Sequence, residues 1–409
     1  AAGELRLIDD GNRHLWMVFG ATALLVIVRI VISYEGQPFE IAGDNNSYEN
    51  QVVHYSRKGF DPLFWMLSFP HIMITSHYHI ATDIPIVHLF RLLIPLSSLT
   101  VAAVGLSSLI ATRSQSTFAR VAGPLFILFF TCMDYVFTDN PSDNWYGPSR
   151  NIFPIQALYN PYPEALAVGV WGLVAIFRKQ VYALSDLLLI LLLFVPMVYF
   201  RPFFFYPFVV GFIVYFVLRI INERKLPKQG AKILLVFACG FLVLLIQYQA
   251  RKHITQGAWA NFPDLKPYWG RLQKWTLETY FPRAPHHTLN VILMMPLHWI
   301  LGLGVAAIVP LRGLFSKRLL LGADDDSKTS WFFLAAFAGY AVPTVFNFVP
   351  DVGHVITHFA MTFYLGMAMV FWMDMWDRLE QSRFGTIWQS LVVLQMILVL
   401  PYIMFYSTG

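Results

Sequence analysis

The sequence has few charged residues and few cysteines. Lys, Arg, Asp and Glu together make up 13% of its 409 residues, about half the fraction that is usual in soluble domains. This shortage of charge argues against a soluble globular protein. Two cysteines, Cys132 and Cys239, both lie within apolar runs, so the sequence contains neither a disulfide framework nor the paired spacing of a zinc site. We interpret both as packing residues.

Other absences disfavour particular functions. The sequence has no clustered basic patch interleaved with aromatic residues on a soluble face, which nucleic-acid binding would need. It has no HExxH motif, so a zinc-peptidase interpretation fails. Acidic residues inside its apolar runs are few, which argues against a proton-coupled transporter, because such proteins use carboxylates buried within the membrane.

Long apolar runs dominate instead. Hydrophobic residues make up 57% of the chain, and a membrane-spanning helix needs about 20 consecutive apolar residues. The runs predict an all-α fold, a polytopic transmembrane helix bundle of about eleven spans that forms a single integral membrane domain over residues 1–409. The predicted spans are 14–34, 84–111, 118–138, 157–177, 183–200, 203–221, 231–249, 290–311, 330–349, 354–376 and 385–407.

Positive charge alternates between the connectors. Every second connector is rich in Arg and Lys, and the positive-inside rule predicts that these connectors and the N-terminus are cytoplasmic. The other connectors then face outward, and two of them, 35–83 and 250–289, are large. We expect amphipathic interfacial helices in both, since the second mixes aromatic and cationic residues that suit lipid headgroups. The basic residues are Arg113, Arg120, Arg178, Lys179, Arg219, Arg224, Lys225, Lys228, Lys232, Arg312, Lys317, Arg318, Arg378 and Arg383.

The first outward loop holds the leading candidate for catalysis. Asp44 and Tyr48 are four residues apart, so on a helix they would share one face. The loop that holds Asp44 directly follows the first predicted span, and an amphipathic stretch comes after it. The alternative is a turn residue, because Gly-Asp-Asn-Asn is favourable turn chemistry.

This arrangement resembles the GT-C superfamily of membrane glycosyltransferases. The resemblance implies that Asp44 is the catalytic residue, that the donor is a polyprenyl-phosphate-linked sugar, and that transfer occurs on the outer or lumenal face. The outward loops have no clear Asp-x-Asp motif, so no cofactor is predicted and a divalent metal is not indicated.

Glycosyl transfer with Asp44 as the base would also need cations in the site. Glycosyl transfer with inversion requires a base to deprotonate the acceptor hydroxyl and cations to hold the leaving phosphate. Arg201, at an outward turn between two helices, and Arg251 with Lys252, at the start of the 250–289 loop, are suited to bind lipid phosphate. The other predicted substrate-binding residues are Tyr48, Asp143, Arg271 and His354.

Glu164 is the second candidate for catalysis. It follows Tyr162-Pro163 in the first turn of the fourth predicted span, where an acidic residue stabilises the helix dipole. The functional alternative is a carboxylate that faces a cavity beneath the outward loop 139–156. The Tyr-Pro-Glu stretch is also similar to one in the C-mannosyltransferase branch of the GT-C superfamily.

Histidines and boundary carboxylates have both functional and structural interpretations. Two sets of residues have the residue types of a metal site: His77 and His79 with Asp83, and His354 and His358 with Asp351. We expect these histidines to be hydrogen-bonded interface residues instead, because ionisable groups near a membrane pair with each other. Three further carboxylates have structural interpretations. Asp186 is expected to snorkel or to cap a helix, and Asp374 and Asp377 are expected to be charges at the cytoplasmic end of a predicted span.

Two alternatives to a GT-C enzyme remain open. The first resembles an O-antigen polymerase or ligase, in which Arg251, Arg271 and Arg283 would be primary. The second is a non-catalytic membrane subunit or a transporter, although transporters have paired helix breaks and here only Arg201-Pro202 is evident. The expected partners are a lipid-linked sugar donor, membrane lipids and a glycan or protein acceptor. Membrane protein subunits are a further expected class of partner. The lack of outward disulfides favours a bacterial inner membrane over the endoplasmic reticulum.

Overall fold

The computed structural model is helical throughout its larger described segments. This confirms the predicted all-α class, with one antiparallel ladder of two residues per strand, β1 Lys266–Pro267 and β2 Phe346–Asn347, as the exception. The structure describes residues 12–36, 50, 52–54, 56–57, 70–131, 162–200, 202–254, 266–267, 300, 302–316, 320, 328–347 and 363–405.

Within the described residues, four helices contain segments of a different winding. The π-helical segments are Leu89–Leu93, Phe126–Phe130 and Phe371–Met375, and the 3-10 segment is Gly304–Ala307. In chain order the helices are α1 Arg13–Gly36, α2 Pro70–Thr82, α3 Ile86–His88 with Leu89–Leu93 and Ile94–Ile110, α4 Thr117–Leu125 with Phe126–Phe130, α5 Tyr162–Phe177, α6 Leu184–Phe200, α7 Pro202–Glu223, α8 Lys228–Ile254, α9 Gly304–Ala307 with Ile308–Gly313, α10 Lys328–Val345, α11 363–370 with Phe371–Met375 and Trp376–Glu380, and α12 Gly385–Phe405.

One helix is long and apolar enough to cross a membrane, within the residues described. It is the stretch Arg13–Val31 of α1, 19 residues long. Seven other apolar stretches in the same part of the chain are shorter than a membrane span. They are Ile94–Ile110, Thr117–Phe130, Pro163–Phe177, Leu184–Met197, Gly304–Gly313, Thr329–Ala338 and Gly385–Pro401.

Aromatic side chains fill the centre of the helical core. The indole of Trp331 on α10 packs against rings from α5, α7 and α8, and its Nε1 donates a hydrogen bond to the carbonyl of Phe208 at 2.8 Å. The N–H of a buried Trp usually finds a hydrogen-bond partner, and here that bond ties α10 to α7. The rings around Trp331 are those of Phe177, Phe208, Phe212, Phe237 and Phe332.

Two predicted cytoplasmic connectors lie side by side at one end of the molecule. Asp377 near the end of α11 accepts hydrogen bonds from the Ser114 hydroxyl and, at 3.0 Å, from the backbone N–H of Gln115. Ser116 caps α4 by accepting from the N–H of Ala119 at 3.1 Å. The carboxylate of Asp377 therefore links the connector before α4 to the end of α11.

A second pair of basic connectors is joined in the same way. Gln229 at the start of α8 accepts a hydrogen bond from the N–H of Tyr182 at 3.1 Å, and Lys232 donates to the Tyr182 carbonyl at 2.7 Å. The Tyr182 hydroxyl donates to the carbonyl of Ile176 at 2.7 Å, and burial raises the pKa of this phenol. Asp186 accepts from the N–H of Ala183 at 2.9 Å, which is the capping role expected of it.

The segment 35–83, which we predicted to face outward, contains a helix, as predicted. This helix, α2, has three buried side chains on one side: Ile72, Thr75 and Ser76. Its exposed apolar side chains are Ile74, Tyr78 and Ile80.

Candidate functional site

Glu164 is the one predicted site residue whose side chain is described by the structure. It lies in the first turn of α5 and is 9% exposed. The predicted position in a helical first turn is therefore correct. The burial of Glu164 is a further finding, because an ionised carboxylate in an apolar environment is costly unless it is compensated. Six predicted site residues lie outside the described residues: Asp44, Tyr48, Asp143, Arg201, Arg271 and His354.

Arg251 and Lys252 require a correction. We predicted that they begin the outward loop 250–289, but their backbone lies in the last turns of α8, which continues to Ile254. The helix extends because residues 250–254 contain neither glycine nor proline, the residues that most strongly end helices. The two cations are thus placed on a rigid element rather than on a loop.

A small apolar cavity lies directly after Glu164 in the helix. Ala165 and Leu166 line it together with residues of α6, α7 and α11, whereas Glu164 does not. The remaining lining residues are Gly169, Val170, Leu173, Phe194, Met197, Phe208, Leu365 and Met369. The expected cavity beneath loop 139–156 involves residues outside the described ones, and the apolar cavity seen here carries no polar group suited to catalysis.

His79 of α2 lies in a hydrogen-bonded turn. The Nδ1 atom of His79 lies 2.8 Å from the carbonyl oxygen of Ile84, and Asp83 between them has a positive φ of 55°. This geometry agrees with the hydrogen-bonded interpretation. No group of three or more metal-binding side chains occurs among the residues that the structure describes, and His354, His358 and Asp351 lie outside them.

A buried glutamine forms a polar junction that our sequence analysis missed. Gln395 of α12 is 2% exposed. Its side-chain amide donates to the carbonyl of Phe130 at 2.8 Å, and its Oε1 accepts from the N–H of Val305 at 2.9 Å. It therefore joins the end of the π-helical segment of α4 to the 3-10 segment of α9, where Gly304 has a φ of 54°. A lone amide inside the run Leu391–Pro401 was the available signal.

Neither the models of known protein families nor the curated proteins matched this sequence. The resemblance to the GT-C superfamily therefore stays a prediction from the sequence of the first predicted outward loop and the predicted topology. Of the candidate site, the structure describes the buried carboxylate of Glu164 at the start of α5 and the helical backbone of Arg251 and Lys252 at the end of α8.

Proposed function

We propose that this protein is a polytopic membrane protein of about eleven spans with a cytoplasmic N-terminus. Exposed apolar side chains on the outer faces of α1, α6, α8 and α12 support this proposal, since soluble monomers rarely expose large contiguous apolar patches. Examples are Leu24, Leu192, Leu235 and Ile397.

The orientation of α5 supports a functional end opposite to the basic connectors. This helix ends at Phe177, directly before the connector with Arg178 and Lys179. Glu164 lies 13 residues earlier in the sequence, which corresponds to about 20 Å along a helix axis. The buried carboxylate and the basic connector are therefore at opposite ends of α5, as the proposed topology requires.

We further propose that the protein is a glycosyltransferase that uses a polyprenyl-phosphate-linked sugar on its outer face, in a bacterial inner membrane. Asp44 acts as the base: it takes the proton of the acceptor hydroxyl, whose oxygen attacks the anomeric carbon while the bond from that carbon to the phosphate oxygen breaks. Arg201, Arg251 and Lys252 hold the polyprenyl phosphate that leaves. The observation that carries this proposal is the buried carboxylate of Glu164 at the end opposite the basic connectors.

The remaining predicted residues have binding roles in this proposal. Glu164 serves as the second carboxylate of the site and orients the acceptor. Tyr48, Asp143, Arg271 and His354 bind the sugar and the glycan or protein acceptor. No cofactor is included.

The test is transfer of radiolabelled sugar from a pool of polyprenyl-phosphate donors by the purified protein. Asp44→Asn is expected to lower transfer by about 10²-fold or more, the usual contribution of a general base. Glu164→Gln, which keeps the shape and removes the charge, is expected to lower it less. Asp83→Asn, which changes an exposed carboxyl outside the proposed site, is the matched control and is expected to retain activity.

Other results would favour one of the alternative functions. Full activity of Asp44→Asn together with its loss in Arg271→Gln would favour a polymerase- or ligase-like enzyme. A folded parent that transfers no sugar from any donor would favour a non-catalytic subunit or a transporter.

A further inference from the structure

The connectors around α6 and α8 hold an excess of positive charge. Residues 178–186 and 219–232 contain seven Lys and Arg side chains and two carboxylates. Both carboxylates are already paired, Asp186 with Lys179 at 2.5 Å and Glu223 with Arg219 on the next turn of α7. Lys232 donates to a backbone carbonyl. The exposed cations beyond these pairs are Arg178, Arg224, Lys225 and Lys228.

The other described pair of basic connectors is nearly balanced. Residues 111–120 and 374–384 contain four arginines and three carboxylates. Arg120 is also held by the carbonyl of Ser114 at 2.9 Å, and Arg383 lies over the ring of Phe384. The connectors around α6 and α8 therefore hold more uncompensated positive charge than this second pair does.

Exposed apolar side chains lie among these cations. Val181 is 70% exposed, Leu184 73% and Leu226 62%. Large apolar side chains beside exposed Lys and Arg are typical of a surface at the membrane interface, where the cations meet headgroups and the apolar groups enter the acyl boundary. We call the set of Arg178, Val181, Leu184, Arg224, Lys225, Leu226 and Lys228 the basic interfacial patch.

Hydrogen bonds hold the two halves of the basic interfacial patch together. The backbone N–H and carbonyl of Tyr182 bond to the side chains of Gln229 and Lys232 respectively. Asp186 fixes the start of α6 through the N–H of Ala183. The patch is thus a preformed surface, which lowers the conformational entropy lost when a ligand binds.

Arg224 occupies a backbone position that favours glycine. It follows α7 directly with a φ of 52°, and its N–H bonds to the carbonyl of Ile220 at 2.9 Å. Helices commonly end with glycine in this left-handed conformation, because a Cβ atom there is unfavourable. Residues with strained backbone conformations cluster at functional sites, and the side chain of this one is an exposed guanidinium.

We propose that the basic interfacial patch binds the headgroup phosphates of anionic phospholipids in the leaflet on the side of the basic connectors. The cations complement the phosphates and the three apolar side chains contact the acyl region. This inference rests on the part of the proposed function that embeds the protein in a membrane, and it does not depend on sugar transfer.

Native mass spectrometry of the full-length protein tests the proposal. The protein is reconstituted into phosphatidylcholine vesicles that contain a minor fraction of phosphatidylglycerol, and the lipids retained after extraction are counted. The parent is expected to retain phosphatidylglycerol selectively. Lys225→Gln and Lys228→Gln are each expected to weaken retention about fivefold, and the triple variant that adds Arg178→Gln on the order of a hundredfold, from the usual contribution of a cation near an anionic surface.

Two further variants separate lipid binding from folding. Arg224→Gly relieves the backbone conformation and is expected to unfold at the same temperature as the parent or higher, while it retains less phosphatidylglycerol. Arg378→Gln/Arg383→Gln removes two charges from the other pair of connectors, and it is expected to retain as much as the parent. Equal loss in this control would overturn the proposal, because the effect would then follow total charge.

Equal retention of phosphatidylcholine and phosphatidylglycerol by the parent would also overturn it, as would release of the lipid by millimolar inorganic phosphate. Flotation with the vesicles reports membrane embedding, and sugar transfer in pure phosphatidylcholine reports the enzyme activity. Failure of the lipid proposal is therefore distinguishable from failure of either part of the proposed function.

Discussion

At the scale of single residues, Gln395 is the polar side chain with the clearest structural task. Its amide bonds to backbone groups at two places where the winding of a helix changes, the end of α4 and the start of α9. Such groups lack part of the regular helical ladder, and buried backbone groups need partners. A glutamine can supply both a donor and an acceptor, which an aliphatic residue cannot.

Replacement of this glutamine tests the junction. Gln395→Leu is expected to destabilise the protein by about 2 kcal/mol, because the N–H of Val305 and the carbonyl of Phe130 then lose a buried partner. Gln389→Leu makes the same change on the same helix, but removes a partly exposed bond to Glu380, and is expected to cost less than about 1 kcal/mol. Unfolding in increasing sodium dodecyl sulfate measures both, and equal costs would contradict the assigned role.

At the scale of elements, α7 and α10 approach each other closely through a glycine. A Cβ atom added at Gly211 of α7 would overlap the backbone of Ala335 on α10. Small residues allow helix backbones to pack closely, and within a membrane such packing is a main source of helix association. The Trp331 hydrogen bond to Phe208 lies at the same contact.

This contact predicts a large effect from one methyl group. Gly211→Ala is expected to cost about 2 kcal/mol or more, since the clash is with backbone that cannot rotate away. Gly20→Ala is the matched control: a Cβ atom there meets nothing within 4 Å, so it is expected to be neutral or to stabilise α1 by up to about 1 kcal/mol. Thermal unfolding in detergent compares the two, and an undestabilised Gly211→Ala would show that α7 and α10 lie farther apart.

At the scale of the whole molecule, hydrogen bonds bring predicted cytoplasmic connectors together in pairs. Asp377 joins one pair and Tyr182 joins the other. Arg29 in the C-terminal part of α1 donates to the carbonyl of Met404 near the end of α12, so these two helices contact through their later turns. These contacts fit a bundle in which the N-terminus and the basic connectors share one side.

Thiol labelling in oriented vesicles tests this topology. In a Cys132→Ser/Cys239→Ser background, Gln180→Cys and Gln381→Cys are expected to react with a membrane-impermeant reagent only from the cytoplasmic side. Asp83→Cys is expected to react only from the opposite side. All three positions are exposed. Reaction of all three from one side would contradict the proposed spans.

Parts of the fold were predictable because the residues near a helix end largely determine where the helix begins or ends. The spans 183–200 and 203–221, divided at Arg201-Pro202, were predicted to within two residues of the helices Leu184–Phe200 and Pro202–Glu223, since proline disfavours a helical residue before it. Glu164 was correctly placed in a first turn. The end of α8 was predicted too early, because hydropathy falls at Arg251 while helical propensity does not.

The sequence by itself determined the helical class, the alternation of basic connectors and several helix ends, because hydropathy, charge and proline act locally along the chain. Only the tertiary structure decided which groups meet: Gln395 with two helix breaks, Gly211 with Ala335, and two connectors around Tyr182. These contacts join residues up to 265 positions apart. They depend on how side chains of different helices fit together, and no local pattern encodes that fit.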